Sequence, residues 1–208
     1  MPSSPVPSAL EFFPPRINYE RLAEASLTCQ GCELYKLGTQ TVFGEGPRDA
    51  RVMMVGEQPG NEEDLQGHPF VGPAGRMLDK ALVDARIDRS TVYLTNAVKH
   101  FKWKPAGKRR LHQKPSTSEV NACKPWLQGE IEVIHPEIIV CLGATAAQSL
   151  LGNKFRVTKS RGEWFDHDGS RIIATIHPSA ILRAPGEGRE LEYRRFVADL
   201  AIVARAVA

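Results

Sequence analysis

Four groups of residues in this 208-residue chain have the type and spacing that chemistry requires. Cys29-Gln30-Gly31-Cys32 sets two thiols two residues apart. That spacing lets both face one metal, and in an intracellular protein a metal or redox role outranks a structural disulfide. Gly56-Glu57-Gln58-Pro59-Gly60 puts a carboxylate in a turn bounded by glycines, and His177-Pro178-Ser179 offers an imidazole beside a hydroxyl. The fourth group is cationic: Lys99, Lys102, Lys104, Lys108, Arg109, Arg110 and Lys114 fall together with no acid among them, interleaved with Phe101 and Trp103. The chain's net charge is only +3, so these seven leave the remainder at −4. A charge run is commonly a solvated loop. Cations beside aromatic faces, however, suit phosphates and unstacked bases, which points to a nucleic acid as partner.

Two further ligands must join Cys29 and Cys32 if they hold a metal. Cys141 lies inside the apolar run Ile138-Ile139-Val140-Cys141-Leu142, where a cysteine is a small buried hydrophobe, and it is set aside. Cys123 stands on a helical pattern with Trp126 and Leu127 on its apolar side, so core packing competes with ligation there. His100 could supply the fourth position, because imidazole serves both zinc and iron–sulfur centres. Spacing alone does not name the metal.

The elements that must position these groups are legible as an alternation. Apolar runs at 51–55, 91–95, 137–142 and 171–176 read as buried strands. Helical patterns lie between and after them, at 73–85, 116–134, 144–151 and 190–207, the second opened by a capping box of Ser116 and Glu119. Strands alternating with helices predict an α/β three-layer sandwich around a central four-stranded parallel sheet. Ligands of such sheets bind beyond the carboxyl ends of the strands. The four strands run there into Gly56, Asn96, Gly143 and His177. With 42% hydrophobic and 25% charged residues the chain can build one core, so a single domain over 17–208 is expected. The Pro- and Ser-rich stretch 1–16 reads as a flexible arm. No apolar run approaches the length of a membrane span, and a soluble, cytoplasmic protein is expected.

The long match of Gly56-Glu57-Gln58-Pro59-Gly60 with Glu63-Asp64, Gln66-Gly67, Pro69-Phe70-Val71-Gly72 and Ala74-Gly75 resembles the first motif of the iron–sulfur uracil-DNA glycosylases of family 4. Thr95-Asn96-Ala97-Val98-Lys99 resembles their uracil-reading strand end, and His177-Pro178-Ser179 their second motif. The cysteine pair, with Ala122-Cys123-Lys124-Pro125-Trp126-Leu127, resembles their cluster ligands. Three departures are similar to UdgX, a subgroup that bonds covalently to uracil-containing DNA: Gln58 where Ala is usual, His100 where Cys is usual, and the added basic loop 108–115.

The resemblance implies the uracil-DNA glycosylase fold, and a [4Fe-4S] cluster held by Cys29, Cys32, His100 and Cys123. It implies a monomer acting on uracil-containing DNA, single-stranded by preference. A base in a duplex is out of reach, so the nucleotide must be extruded into a pocket. Phe70 would stack on it, and the Asn96 amide would read the uracil edge. Gly56, the backbone around Gln58, and His177 would lie near the uracil oxygen that gains charge, with Asp64 shaping the loop. Glu57 would stabilise the cationic sugar, and His112 would attack C1′ with a neutral ring nitrogen. Arg109, Arg110 and Arg183 would meet phosphates or fill the gap left by the base. Two other readings stand beside this one: a multiple-turnover hydrolytic glycosylase, and a non-catalytic nucleic-acid-binding module with a structural metal.

Overall fold

The computed structural model of the protein describes residues 8–207. Its centre is a five-stranded sheet made of β1 (Val52–Gly56), β2 (Val92–Asn96), β5 (Ile138–Leu142), β6 (Trp164–His167) and β7 (Ser170–Thr175). The strand order is β2-β1-β5-β7-β6, and every pair is parallel except β6 with β7. The four expected strands are thus present. A fifth was missed, because Trp164-Phe165-Asp166-His167 is short and half polar. It returns through Asp168 and Gly169, both at positive φ (45° and 89°), the conformation of a tight hairpin turn.

Alternation along the strands divides the core. Met54, Leu94, Val140, Leu142 and Ile173 face one way and pack under α3 (Pro73–Asp84), α7 (Pro178–Arg183) and α8 (Gly186–Val207), through Leu78, Leu82, Ile181, Phe196 and Leu200. Met53, Val55, Ile139, Cys141 and Ala174 face the other way, against α4 (Thr117–Ile134) and α5 (Ala144–Leu151), which contribute Leu127, Ile134, Ala146 and Leu150. Both faces are covered, as a buried parallel sheet requires. The box that opens α4 is complete, with Glu119 N–H donating to Ser116 Oγ and Ser116 N–H to Glu119 Oε2.

A third apolar cluster lies outside the sandwich. It joins α1 (Tyr19–Ser26) to the edge of α4 through Leu22, Leu34, Phe43, Val98 and Trp126, and it contains Cys29 and Cys123. The stretch expected to be a loose arm enters this cluster. Ala9 is fully buried in a short 3-10 turn at Ala9–Phe12, and the Phe13 ring stacks on Trp126 at 4.7 Å. Residues 1–7 of that stretch lie outside the described residues. A two-stranded ribbon, β3 (Trp103–Ala106) with β4 (Arg109–His112), stands apart from the main sheet. The remaining short helices, α2 (Asn61–Gln66) and α6 (Val157–Ser160), lie in the loops after β1 and before β6. Among the described residues no helix is long and apolar enough to cross a membrane.

Candidate active site

Gly56 and Asn96 are register partners at the ends of β1 and β2. Beyond them the carboxyl rim of the sheet opens into a cleft of about 940 Å³, lined among others by Glu57, Phe70, Asn96, His112, Thr145, His177 and Arg183. This is large enough for a nucleotide. The rim of a parallel sheet collects these groups because each strand ends in a polar loop on the same side.

One wall of the cleft is a flat slot. The Phe70 ring is 6% exposed and lies nearly parallel to the His177 imidazole, with centroids 6.4 Å apart. Its backbone has φ 58°, a conformation that costs a non-glycine residue about 1–3 kcal/mol and persists only where the surroundings impose it. Gly75 of α3 is part of that surrounding, since a Cβ there would meet the Phe70 carbonyl oxygen at 1.7 Å. Gly56 is equally constrained. A Cβ on it would stand 2.3 Å from Asn96 Oδ1 and 2.8 Å from Phe70 Cζ, so the missing side chain is what leaves room between the amide and the ring.

His177 caps α7, accepting the Ser179 N–H on Nδ1 at 3.2 Å. Burial, with the charges of Arg183 and His112 nearby, depresses its pKa to about 4. The ring is therefore neutral at pH 7. With Nδ1 acting as acceptor, the proton resides on Nε2 as a hydrogen-bond donor.

The other wall carries Glu57 and His112. Glu57 Oε2 accepts from the Thr145 hydroxyl in the first turn of α5, where the helix end also favours a carboxylate. Its second oxygen, Oε1, faces His112 Nε2 at 3.4 Å. His112 is the last residue of β4, half exposed at the mouth of the cleft, with the Phe101 ring 6.1 Å away. The segment read as a basic loop is thus a β-ribbon, and its strand geometry decides where each side chain points.

The ribbon also decides what its neighbours touch. Gln58 does not present its side chain to the cleft centre. Its Nε2 donates to the carbonyls of Lys102 and Gln113, at 3.2 and 3.1 Å, and its Oε1 accepts the Lys102 N–H at 3.1 Å. It ties the two ends of the ribbon together. Asp64, expected to shape the loop, is fully buried and accepts from Thr39 N–H, Thr39 Oγ1 and Arg110 at 2.8, 2.7 and 2.6 Å. Arg110, expected on phosphate, is committed to Asp64 and Asn61, and lies over the rings of Phe101 and Trp103. Strand alternation turns it inward with His112. Arg109 on the opposite face is exposed, and Arg183 lines the cleft while donating to Ser179 Oγ at 3.1 Å. Thr145 was not foreseen. A hydroxyl two residues after the strand-ending Gly143 was the signal available for it.

The thiols gather beneath the ribbon. Cys29 Sγ accepts the Trp126 indole N–H, and Cys123 Sγ the main-chain N–H of Lys99, each at 3.2 Å. Burial pushes the Cys123 thiol up to about 12, with Cys32 and Cys29 close enough to raise it further. Burial likewise raises Cys32. All four cysteines are free, and Cys141 lies buried in β5, away from the other three. His100 Nε2 is 3.1 Å from the Thr41 hydroxyl, and burial lowers its pKa to about 4, so the ring is neutral, the form that ligates metals. Among the described residues no three Cys, His, Asp or Glu side chains converge as a single-ion site would require. Three neighbouring thiols, two of whose sulfurs receive N–H donors, instead suit a cluster, whose sulfur ligands are tuned by such bonds.

The sheet order and the polar rim define an α/β domain with a nucleotide-sized cleft at the carboxyl ends of its parallel strands. Residues 43–201 match the family model of the uracil DNA glycosylase superfamily, and the chain belongs to that family. It is 41% identical over 182 residues to the Type-4 uracil-DNA glycosylase of Thermotoga maritima, covering 86% of this chain and 89% of that protein. The Type-4 enzyme of Archaeoglobus fulgidus is 36% identical, with 80% and 84% covered. A Type-5 uracil-DNA glycosylase of Pyrobaculum aerophilum is 31% identical over 65% of this chain and 64% of its own length.

Proposed function

We propose that this protein excises uracil from DNA and is captured on the product through His112, as in the UdgX subgroup. The observation that carries this reading is the 3.4 Å approach of His112 Nε2 to Glu57 Oε1 at the cleft mouth. An extruded uracil would stack against Phe70, with its edge toward the Asn96 amide. His177 Nε2–H would donate to the oxygen that gains charge as the base leaves. The C1′–N1 bond then breaks with its electron pair on uracil, which takes a proton from solvent. The cationic sugar left behind would meet the Glu57 carboxylate and, beside it on the same wall, a His112 lone pair. Closure of that lone pair onto C1′ makes an N-glycosidic link, and Glu57 lies beside the charge the ring acquires.

Cys29, Cys32, Cys123 and His100 would hold a [4Fe-4S] cluster. The cluster would contribute structure and no step of the reaction, tying the segment before β1, the loop after β2 and α4 together. Similarity to the Type-4 enzymes supports a second reading, in which water attacks C1′ and the enzyme turns over.

Incubation with uracil-containing single-stranded DNA followed by a denaturing gel separates the two. Capture gives a shifted protein–DNA band that survives boiling in detergent, absent for His112→Ala and much slower for Glu57→Gln. Free uracil in large molar excess over enzyme, with no shifted band, is the outcome that establishes hydrolysis.

A further inference from the structure

Beneath the base-reading end of β2 lies a buried ion pair that the excision scheme leaves without a role. Lys99 follows β2 and is 1% exposed, and Glu130 of α4 is fully buried. The ammonium has three protons and three acceptors: the Glu130 carboxylate, Thr95 Oγ1 at 2.6 Å, and the main-chain carbonyl of Asn96 at 2.8 Å. Glu130 in turn accepts from Thr95 Oγ1, Gly44 N–H and Tyr93 OH, at 2.8, 2.9 and 3.1 Å. Every group is satisfied.

Stability is a poor account of this arrangement. Each buried ion costs several kcal/mol in lost hydration, and replacing such pairs by apolar side chains of similar volume is often neutral or stabilising. What the pair does geometrically is more specific. The Asn96 carbonyl is held by the ammonium from one side, and the next amide, Ala97 N–H, donates to the Gly56 carbonyl at 2.9 Å from the other. The peptide plane that carries Asn96 is therefore fixed at both atoms. The Asn96 side-chain oxygen lies over Gly56, on the side where the Phe70 ring also approaches. A free peptide at a strand end would rock, and the amide would sweep across the slot.

We propose that Lys99 and Glu130 form a positioning pair for base recognition, clamping the Asn96 peptide so that its amide meets the uracil edge in one orientation. This rests on the reading of the slot as a uracil site. Neither residue touches the base, and their effect passes through Asn96.

The test is a double-mutant cycle on the intact protein. Lys99→Met with Glu130→Leu removes both charges together and leaves neither buried alone. Single-turnover uracil excision is expected to fall about 10- to 100-fold, the scale of a sub-ångström to ångström misplacement of a binding group. The enzyme concentration giving half-maximal rate is expected to change less than about threefold, because phosphate contacts are untouched. The decisive readout is the Asn96→Ala background, where adding the pair replacement should cause no further loss. Multiplied losses, or a paired variant as fast as wild type, overturn the proposal. Glu130→Gln, which keeps the volume and most acceptors, is read by the same cycle should the paired variant not fold. A folded wild-type protein that neither releases uracil nor forms an adduct would instead sink the uracil reading, independently of the clamp.

Discussion

Replacing Arg110 by methionine isolates what the ribbon contributes. The guanidinium donates to Asp64 at 2.6 Å and to Asn61 Oδ1 at 2.7 Å, and it is 19% exposed against a fully buried carboxylate. A charge-assisted bond of this kind contributes roughly 1.5–3 kcal/mol and the second about 1 kcal/mol. Their loss therefore weakens ribbon docking by about 3 kcal/mol, of order 100-fold in the ratio of docked to undocked forms. Three anchors remain, Gln58 at the neck, Lys102 paired there with Glu119 at 2.8 Å, and the Trp103 indole N–H donating to the Leu37 carbonyl at 2.8 Å, so the full factor is not expected in the rate. Adduct formation on uracil-containing DNA, followed by quenched time points on denaturing gels, should slow about 10- to 100-fold. Because Glu57, Asn96 and His177 are untouched, uracil release should persist, and water should increasingly take the place of His112, leaving abasic DNA. Asp64→Asn should give the same shift with little added effect when combined with Arg110→Met. Adduct formation at the wild-type rate in Arg110→Met would refute the tether. Equal loss of excision and adduct in a folded variant would show that the ribbon serves bond cleavage rather than capture.

Gln58→Ala removes three hydrogen bonds at the ribbon neck and is expected to lower the ratio of adduct to free abasic product about tenfold, scored on the same gels. Gly56→Ala puts a Cβ 2.3 Å from Asn96 Oδ1, and single-turnover excision should fall at least 100-fold while thermal unfolding shifts by only a few degrees. His177 has a folded-state pKa depressed to about 4 from an ordinary 6.5, so between these values the unfolded chain binds the extra proton. Stability from this group is then complete above about pH 6.5 and is lost as pH falls toward 4. Wild type should lose about 1–2 kcal/mol relative to His177→Gln between pH 7 and 5 in denaturant titrations, and an unchanged difference would contradict the buried neutral ring. With the proposed cluster in place, treatment with an iron chelator should lower the melting temperature and abolish visible absorbance, and Cys29→Ser should do the same; a protein whose melting temperature neither change moves would refute the cluster.

The parts of the fold visible in the sequence are those whose burial is two-sided. Ile138-Ile139-Val140-Cys141-Leu142 must be apolar throughout because helices cover both its faces, and such a run cannot be mistaken for a loop. The ribbon has the opposite character. From Trp103 to His112 neither face enters the main core, so no alternation of apolar residues marks it, and charge made it read as solvated loop. That error moved Arg110 to the wrong place. In a loop seven cations are interchangeable, whereas in a strand Arg109 and Leu111 must face away from Arg110 and His112. The N-terminal stretch erred for a related reason. Proline and serine content says nothing of a single Ala9 and Phe13 finding a hydrophobic notch on α4.

The candidate site divides along the same line. Glu57, Asn96 and His177 were readable as strand-end residues because a parallel sheet delivers its strand ends to one rim whatever the loops do. Their partners were not: Thr145 meets Glu57 across 88 residues and Glu130 meets Lys99 across 31, while Lys99 itself, grouped in the sequence with the cations suited to phosphate, is buried in that ion pair. The slot that would hold the base is built from β1, β2 and the turn at Phe70. The arm that carries His112 is held by Gln58, by Asp64 through Arg110, and by Trp103. Glu57, at the end of β1 and 3.4 Å from His112, is the side chain that joins the two sets. On the reading proposed above, the arm can therefore be loosened through Arg110 and Trp103 while the walls of the slot, Phe70, Asn96 and His177, keep their own contacts.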